Sequence, residues 1–134
     1  MMGRLSHVVM FAVFSTISLT PVAEDKSGRF ISGGGAGAVD CPKFVQSMDL
    51  AKASGIGTLG YVKETGGYLM FILGFQTAYN LQTPDTCNIF DSISGDQMLA
   101  WAENYCRANP LERYGDAVIK LAKEVHPRRK KSCR

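Results

Sequence analysis

The sequence predicts an all-α fold: a small bundle of about four helices, cross-linked by disulfides. Three observations predict it. Apolar residues recur at the three- and four-residue spacing of helices, and no segment alternates regularly enough to predict a strand. Helix-start signals precede these apolar segments. An even number of cysteines, four, follows an apolar N-terminal stretch.

The N-terminal stretch, residues 5–23, contains no charged residue and follows a start that carries Arg4. This pattern is typical of a secretory signal peptide, predicted to cover residues 1–23 with cleavage after Ala23, although Pro21 fits the cleavage rule poorly. An uncleaved membrane anchor is the alternative, weakened by the polar residues in a stretch of about the minimum spanning length. We therefore expect a periplasmic or secreted protein.

Residues 24–39 are predicted to be a flexible linker, because they contain the glycine-rich run SGGGAGA. This run does not complete a P-loop or a dinucleotide-binding pattern, and no hydrophobic strand precedes it. The helical domain is expected to cover residues 40–126, and residues 127–134 form a basic C-terminal tail.

The first two helices are predicted from caps and breaks. The first begins after Asp40 and ends before the break at residues 54–57. The second covers about Val62 to Asn80 and is apolar almost all round, which is typical of the central helix of a bundle. One face of it carries a smooth strip of Gly60, Gly67, Gly74 and Ala78. This strip is either a seat for a partner helix or a site of close internal packing, and we favour internal packing.

The last two helices have clear start signals. Ser94 with Gln97 three residues later forms a capping box for the third helix, which stops at Asn109. The fourth is predicted to use Asn109 as N-cap and Pro110 as its first residue, and to end before Pro127.

The four cysteines are the strongest chemical signal. We pair Cys41, at the start of the first helix, with Cys106, near the end of the third, which leaves Cys87 for Cys133. Three connectivities remain open on the sequence alone. Disulfides persist in oxidising compartments, which agrees with export. No two cysteines have the spacing of a zinc site, so we expect no metal.

Catalytic residues are scarce. His126 is the only histidine after residue 23 and lies next to Pro127, so a nucleophile–histidine pair is not expected. The acids Asp85, Asp91 and Asp96 lie in or near one loop, where such residues form solvated turns. We therefore expect no enzyme activity and no cofactor.

Charge is divided unevenly. Residues 24–125 contain nine basic and twelve acidic residues, whereas the last nine residues contain five basic groups and no acid. We favour a solvated basic tail without a partner, and contact with an acidic protein or an anionic membrane is the alternative. Nucleic acid is not expected, because the protein is predicted to be exported and no aromatic residue is interleaved for stacking. Trp101 and Tyr105, on one face of the third helix, are further candidates for partner contact. The candidate contacts in the tail are Arg128, Arg129, Lys130 and Lys131.

The segments GYLMFILGFQTAYN (67–80) and QMLAWAENYCRANPLERYGDAVIKL (97–121), together with DCPKF (40–44), resemble the HdeA-like superfamily of small bacterial periplasmic proteins. They also resemble the related immunity-protein family that neutralises type VI amidase effectors. The resemblance implies an orthogonal arrangement of helices, a Cys41–Cys106 bridge and a function exerted by binding protein. HdeA-type proteins act as acid-activated chaperones, in which a folded dimer comes apart at low pH. The four cysteines, the glycine-rich leader and the basic tail depart from that pattern.

The sequence as a whole predicts an exported, non-enzymatic protein-binding module of the HdeA-like type; it does not identify the specific role, for which an acid-stress periplasmic chaperone is one candidate. An immunity protein that neutralises an effector and an envelope-associated structural protein are the alternatives, and a homodimer is among the partners considered. Acid would neutralise twelve carboxylates between roughly pH 5 and 2. The strong positive charge that remains would favour opening of the fold.

Overall fold

The computed structural model describes residues 34–134. The predicted signal peptide and residues 24–33 of the predicted linker lie outside the described residues. Four α-helices form the described part, with a short 3₁₀ helix before the first and another after the last, and the all-α prediction is confirmed. Residues 34–134 contain no β-strand, only two isolated backbone bridges. The helices are α1 (Cys41–Ser54), α2 (Leu59–Gln82), α3 (Gly95–Ala108) and α4 (Tyr114–Val125); the 3₁₀ helices are Gly35–Ala38 and His126–Arg128.

Local hydrogen bonds fix the starts of α2 and α3. The Tyr61 backbone N–H donates to the Thr58 hydroxyl at 3.2 Å, which begins α2 three residues earlier than predicted. The predicted capping box of α3 is confirmed: the Gln97 N–H donates to Ser94 Oγ, and the Ser94 N–H donates to Gln97 Oε1. α1 begins after Asp40 as predicted, although the Asp40 side chain makes no capping bond.

The predicted start of α4 at Asn109 and Pro110 is wrong, because the helix begins only at Tyr114. The segment before it pairs with the backbone in front of α1 instead. The Cys41 N–H donates to the Glu112 carbonyl at 2.9 Å, and the Tyr114 N–H donates to the Val39 carbonyl at 2.9 Å. These long-range bonds satisfy the backbone N–H groups of the first residues of α1 and α4, and the Arg113 N–H donates locally to Asp116 Oδ2.

The glycine-rich segment is part of the fold in its second half, so the linker prediction is wrong for residues 35–39. Gly35–Ala38 forms a 3₁₀ helix that packs against α2 and α4. Gly37 is buried, and an added Cβ would lie 2.3 Å from the Phe71 ring. At Gly115 an added Cβ would lie 2.7 Å from the Gly37 carbonyl oxygen. Glycine therefore permits the close approach of this segment to α2 and α4.

The centre of the core is a cluster of three aromatic rings from three different helices. Phe44, Tyr68 and Tyr114 have ring centroids 4.4 to 5.0 Å apart. The buried Tyr114 hydroxyl donates to the Tyr68 carbonyl at 2.9 Å, and burial raises the pKa of Tyr114. The hydroxyl is therefore a satisfied neutral donor that ties α4 to α2.

Two disulfides cross-link these elements with the connectivity we expected. Cys41 pairs with Cys106, with Cα atoms 4.8 Å apart, and both residues are buried between α1 and α3. Cys87 pairs with Cys133, with Cα atoms 5.3 Å apart, and connects the α2–α3 loop to the C-terminal residues. Intramolecular disulfides of this kind fit an oxidising environment.

Candidate protein-docking surfaces

One candidate surface is built by α3 and the loop that follows it. Trp101 stacks on Tyr105 with ring centroids 5.5 Å apart and planes 10° from parallel. The Tyr105 hydroxyl donates to Glu112 Oε2 at 2.5 Å. Leu111, the neighbour of Glu112, is 99% exposed. We call Trp101, Tyr105 and Leu111 the aromatic surface; it contains both aromatic residues that the sequence suggested for partner contact.

The loop that carries Leu111 is held at several points. The bonds from Cys41 to Glu112 and from Tyr114 to Val39 fix its second half, and the Cys41–Cys106 disulfide holds the end of α3 beside it. The hydrogen bond to Glu112, together with burial, raises the pKa of Tyr105 to about 12. The tyrosine therefore keeps its proton at neutral pH and can donate it to the Glu112 carboxylate.

The predicted basic tail is a pinned segment. We call residues 128–131 the basic strap. The Lys130 N–H donates to the Asn88 carbonyl at 2.9 Å, and the Cys87 N–H donates to the Lys130 carbonyl at 2.8 Å. Arg129 donates from Nε to the Thr86 hydroxyl and from Nη1 to the His126 carbonyl.

Within the strap the four basic residues therefore differ in what they can do. Arg129 is engaged with the protein itself, so its role here is structural. Arg128, Lys130 and Lys131 are exposed. These three remain the candidates for contact with an acidic partner. His126 lies beside the strap, with Nδ1 2.8 Å from the Tyr79 hydroxyl.

A second candidate surface runs along α2. We call it the α2 face. Its aliphatic side chains are largely exposed: Leu59 at 86%, Met70 at 68% and Leu81 at 78%. Lys63 is its one charged residue. The face comprises Leu59, Val62, Lys63, Gly66, Gly67, Met70, Leu73, Gly74, Thr77, Ala78 and Leu81.

The glycines of this face contradict the interpretation of close internal packing. At Gly67 and Gly74 an added Cβ would meet no atom within 4 Å among the described residues. Of the predicted strip, only Gly60, which lies outside the α2 face, makes a close internal approach, to the Ser54 side chain. α2 is also not the central helix, because its other side alone packs against the core through residues such as Tyr68 and Ile72. A helix that is apolar all round but packed on one side leaves an apolar face exposed.

An ionic cluster joins α1 to α3. Glu103 is only 3% exposed and accepts from Lys52 Nζ at 2.6 and 2.8 Å. Arg107 bridges Glu103 and Asp49. Burial raises the pKa of Glu103, but the hydrogen bonds from Lys52 and Arg107 outweigh it, so the pKa lies below its ordinary value. The cluster is therefore strongest when Glu103 is ionised.

Within residues 34–134, no group of three metal-ligating side chains comes together. In the same range, no helix combines the length and the apolar character needed to cross a membrane. Comparison of the chain with protein-family models, with curated proteins and with solved structures finds no match.

Sequence reasoning found some of these residues and missed others. It identified Trp101, Tyr105 and the basic residues of the strap, but not Leu111, Glu112 or the ionic cluster around Glu103. It noticed the glycine strip of α2 and assigned it to the interior. The length of α2 could have indicated that the strip is exposed. The helix has 24 residues and no polar side, and a domain this small cannot surround such a helix on all sides.

Proposed function

We propose that this chain is an exported, non-enzymatic protein-binding module that docks a partner protein on its aromatic surface. The observation that carries this proposal is Leu111, a 99% exposed leucine next in the chain to Glu112, whose carboxylate accepts from Tyr105 of the stacked pair Trp101 and Tyr105. Tryptophan and tyrosine are among the residues most enriched in the group that dominates binding energy at protein interfaces. An exposed aliphatic side chain on the loop that this hydrogen bond joins to α3 supplies apolar area for a matching pocket.

Rigidity supports this use of the surface. Binding is weakened when loops must be ordered, and a loop already held in place avoids that cost. Here the loop is fixed by backbone pairing in front of α1, by the Tyr105–Glu112 hydrogen bond and by the Cys41–Cys106 bridge. The partner therefore meets a preformed shape.

Export and the lack of catalysis belong to the same proposal. The signal-peptide pattern and the two disulfides favour the periplasm or the outside of the cell. A binding role is also supported by His126, the one histidine after residue 23. Its Nδ1 forms a hydrogen bond with the Tyr79 hydroxyl, so this nitrogen already has a partner within the protein.

Acid-stress chaperone activity is the more specific role that we favour, and the ionic cluster supports it. Protonation of Glu103 removes the negative charge that Lys52 and Arg107 share, and so weakens the junction of α1 with α3. A chain that loosens in acid would offer more apolar surface to unfolding clients. An immunity protein would instead bind one effector at neutral pH.

The test is affinity capture from an envelope extract at pH 7 and again after a step to about pH 3. We expect Leu111→Ser and Trp101→Ala to lower the captured amount at least tenfold. The matched control is Ile56→Ser, which removes another largely exposed aliphatic side chain in a loop and should capture as the wild type does. Equal capture by all variants would overturn the aromatic surface as the docking site.

The same experiment separates the specific roles. Many unrelated proteins held only after the acid step would support the chaperone. One stoichiometric protein at pH 7 would support the immunity role and would overturn the chaperone. No retained protein at either pH would overturn the binding module itself.

The envelope-associated alternative rests on the exposed bases Arg128, Lys130 and Lys131, which the Cys87–Cys133 bridge holds on the surface. Anionic membranes attract such clusters by about 1 kcal/mol for each basic residue. Cosedimentation with phosphatidylserine vesicles should then fall with added salt and with neutralisation of these three residues. Binding that ignores both changes would overturn the alternative.

A further inference from the structure

We propose that the α2 face docks on the same face of a second copy of this chain, with the two α2 helices antiparallel and Met70 at the two-fold axis. The inference rests on the α2 face alone and is independent of the aromatic surface. The second copy would cover an apolar helix face that no other element in residues 34–134 covers.

The residues along the middle of the face are arranged symmetrically about Met70. Their spacing is four, three and four residues up to Met70, and four, three and four beyond it. Two of the three pairs so related also match in residue type, with leucine at both ends and glycine on both sides of Met70, whereas the third pairs Lys63 with Thr77. This central row is Leu59, Lys63, Gly66, Met70, Gly74, Thr77 and Leu81.

Such a row is complementary to itself. In a two-fold dimer, residue i of one copy meets residue j of the other, and j meets i. An antiparallel pairing centred on Met70 places Leu59 opposite Leu81 of the second copy, and Gly66 opposite Gly74. The glycines allow the helices to approach closely and leave room for the flexible Met70 side chains.

Charge on the α2 face selects the orientation of the second copy. Lys63 is the only charged residue on the face. In the antiparallel pairing it lies opposite Thr77, a polar and uncharged residue. A parallel pairing in register would place the two Lys63 ammonium groups together, and like charges on facing helices destabilise the pair. The second copy is therefore expected to run antiparallel.

The exposed apolar area of the α2 face is large enough for a dimer interface. The face extends over 22 residue steps, or about 33 Å of helix. Its exposed aliphatic side chains present on the order of 600 Å², which is at the upper end of what a monomer leaves exposed. Two copies would together bury about 1,200 Å², the lower limit for specific, stable interfaces. A second copy of the same helix can cover this area along its whole length.

The first test is the oligomeric state of the chain, expressed from its full sequence and purified from an oxidising compartment. Sedimentation velocity between about 1 and 100 μM should show a reversible monomer–dimer equilibrium. Met70→Arg places two guanidinium groups at the two-fold axis and should raise the dissociation constant at least tenfold. Ile56→Arg adds the same charge at an exposed aliphatic residue outside the face and should leave the constant unchanged.

Two results would overturn the inference: a wild-type chain that stays monomeric at 100 μM, or a dimer that Met70→Arg leaves intact. Met70 is 68% exposed, so the substitution should not disturb the core, and circular dichroism of the variant checks this. A monomer would not affect the capture experiment on the aromatic surface, so the two proposals fail separately.

The second test is the register, read from disulfide cross-links between copies. Lys63→Cys and Thr77→Cys chains, carrying different tags, are mixed and oxidised. The antiparallel pairing predicts that the mixed disulfide, which joins one chain of each variant, exceeds either homodisulfide at least tenfold. Excess homodisulfide would overturn the orientation. Lys123→Cys, at an exposed position on α4, is the control for chance collisions. The interface would be overturned if the Lys63→Cys and Thr77→Cys chains formed disulfides no faster than this control.

Discussion

Glu103 shows how a single buried acid can connect pH to stability. Its carboxylate is held by Lys52 and Arg107, whose side chains are about half exposed, so water screens part of the attraction. The pKa of Glu103 is lowered in the folded chain relative to its ordinary value. A lowered folded pKa contributes stability above the unfolded pKa of about 4.3, and this stability is lost as the pH falls through the folded pKa.

Glu103→Gln tests this connection. We expect the free energy of unfolding at pH 7 to fall by about 1–2 kcal/mol, because the charge-assisted hydrogen bonds from Lys52 and Arg107 are weakened. The difference from the wild type should shrink as the pH falls below about 4 and disappear once Glu103 is protonated. Urea denaturation at pH 7, 5 and 3 measures it. Glu124→Gln is the control, since Glu124 is exposed and forms no ion pair within residues 34–134. The prediction would be contradicted if Glu103→Gln lowered the free energy of unfolding by the same amount at all three pH values.

Gly115 provides a second prediction at this scale. A methyl group there would lie 2.7 Å from the Gly37 carbonyl oxygen, a backbone atom that cannot move aside freely. We expect Gly115→Ala to lower the free energy of unfolding by about 1–3 kcal/mol, although alanine favours the helix. Thermal and urea unfolding measure the change.

The control for Gly115→Ala is Gly66→Ala, at a position where the added methyl group meets no atom of the described residues within 4 Å. It should raise the free energy of unfolding by about 0.5–1 kcal/mol. The measurement is made at a protein concentration low enough to keep the chain monomeric. Equal effects of the two substitutions would show that close packing at Gly115 is unimportant.

At the scale of elements, α3 depends on its reciprocal cap. Ser94→Ala removes the acceptor of the Gln97 N–H and should lower the free energy of unfolding by about 1 kcal/mol. Urea unfolding of the variant measures this loss. Ser132→Ala, an exposed serine near the C-terminus, is the control and should be neutral. If Ser94→Ala were equally neutral, the cap would contribute nothing to stability.

The helix boundaries show which features of the fold follow from local sequence. Ser94 and Gln97 begin α3 as predicted, because both partners of the cap lie within one helical turn. The start of α4 could not be found in this way. Tyr114 and Glu112 pair with Val39 and Cys41, more than 70 positions earlier in the chain, and no local pattern contains that pairing. A local bond beside it joins the Arg113 N–H to Asp116 Oδ2, and the Asn109-Pro110 signal is the more usual helix start.

The candidate surfaces show the same division. Trp101 and Tyr105 could be selected from their shared helix face, because periodicity gives the face directly. The exposure of Leu111 depends on a loop pinned by distant residues. The exposure of α2 depends on which side the core occupies, and an apolar pattern without a polar side cannot indicate that choice.

At the scale of the whole molecule, the two disulfides should contribute differently. Their sequence separations, 65 and 46 residues, give similar chain-entropy terms of about 4 kcal/mol each. Cys41 and Cys106 are also buried, so their replacement by serine leaves polar groups in the core. We expect the Cys41→Ser/Cys106→Ser variant to lose more stability than the Cys87→Ser/Cys133→Ser variant. Thermal unfolding of both double variants measures this order, and the reverse order would contradict it.

The two disulfide-closed segments overlap along the chain, since Cys87 lies between Cys41 and Cys106 while Cys133 lies beyond both. Cleavage of any single peptide bond between Cys41 and Cys133 therefore leaves the two fragments covalently joined. A cut before Cys87 is bridged by the first disulfide, a cut after Cys106 by the second, and a cut between them by both. A protease that nicks an exposed loop once cannot release a piece of the domain, and the fragments separate only after reduction.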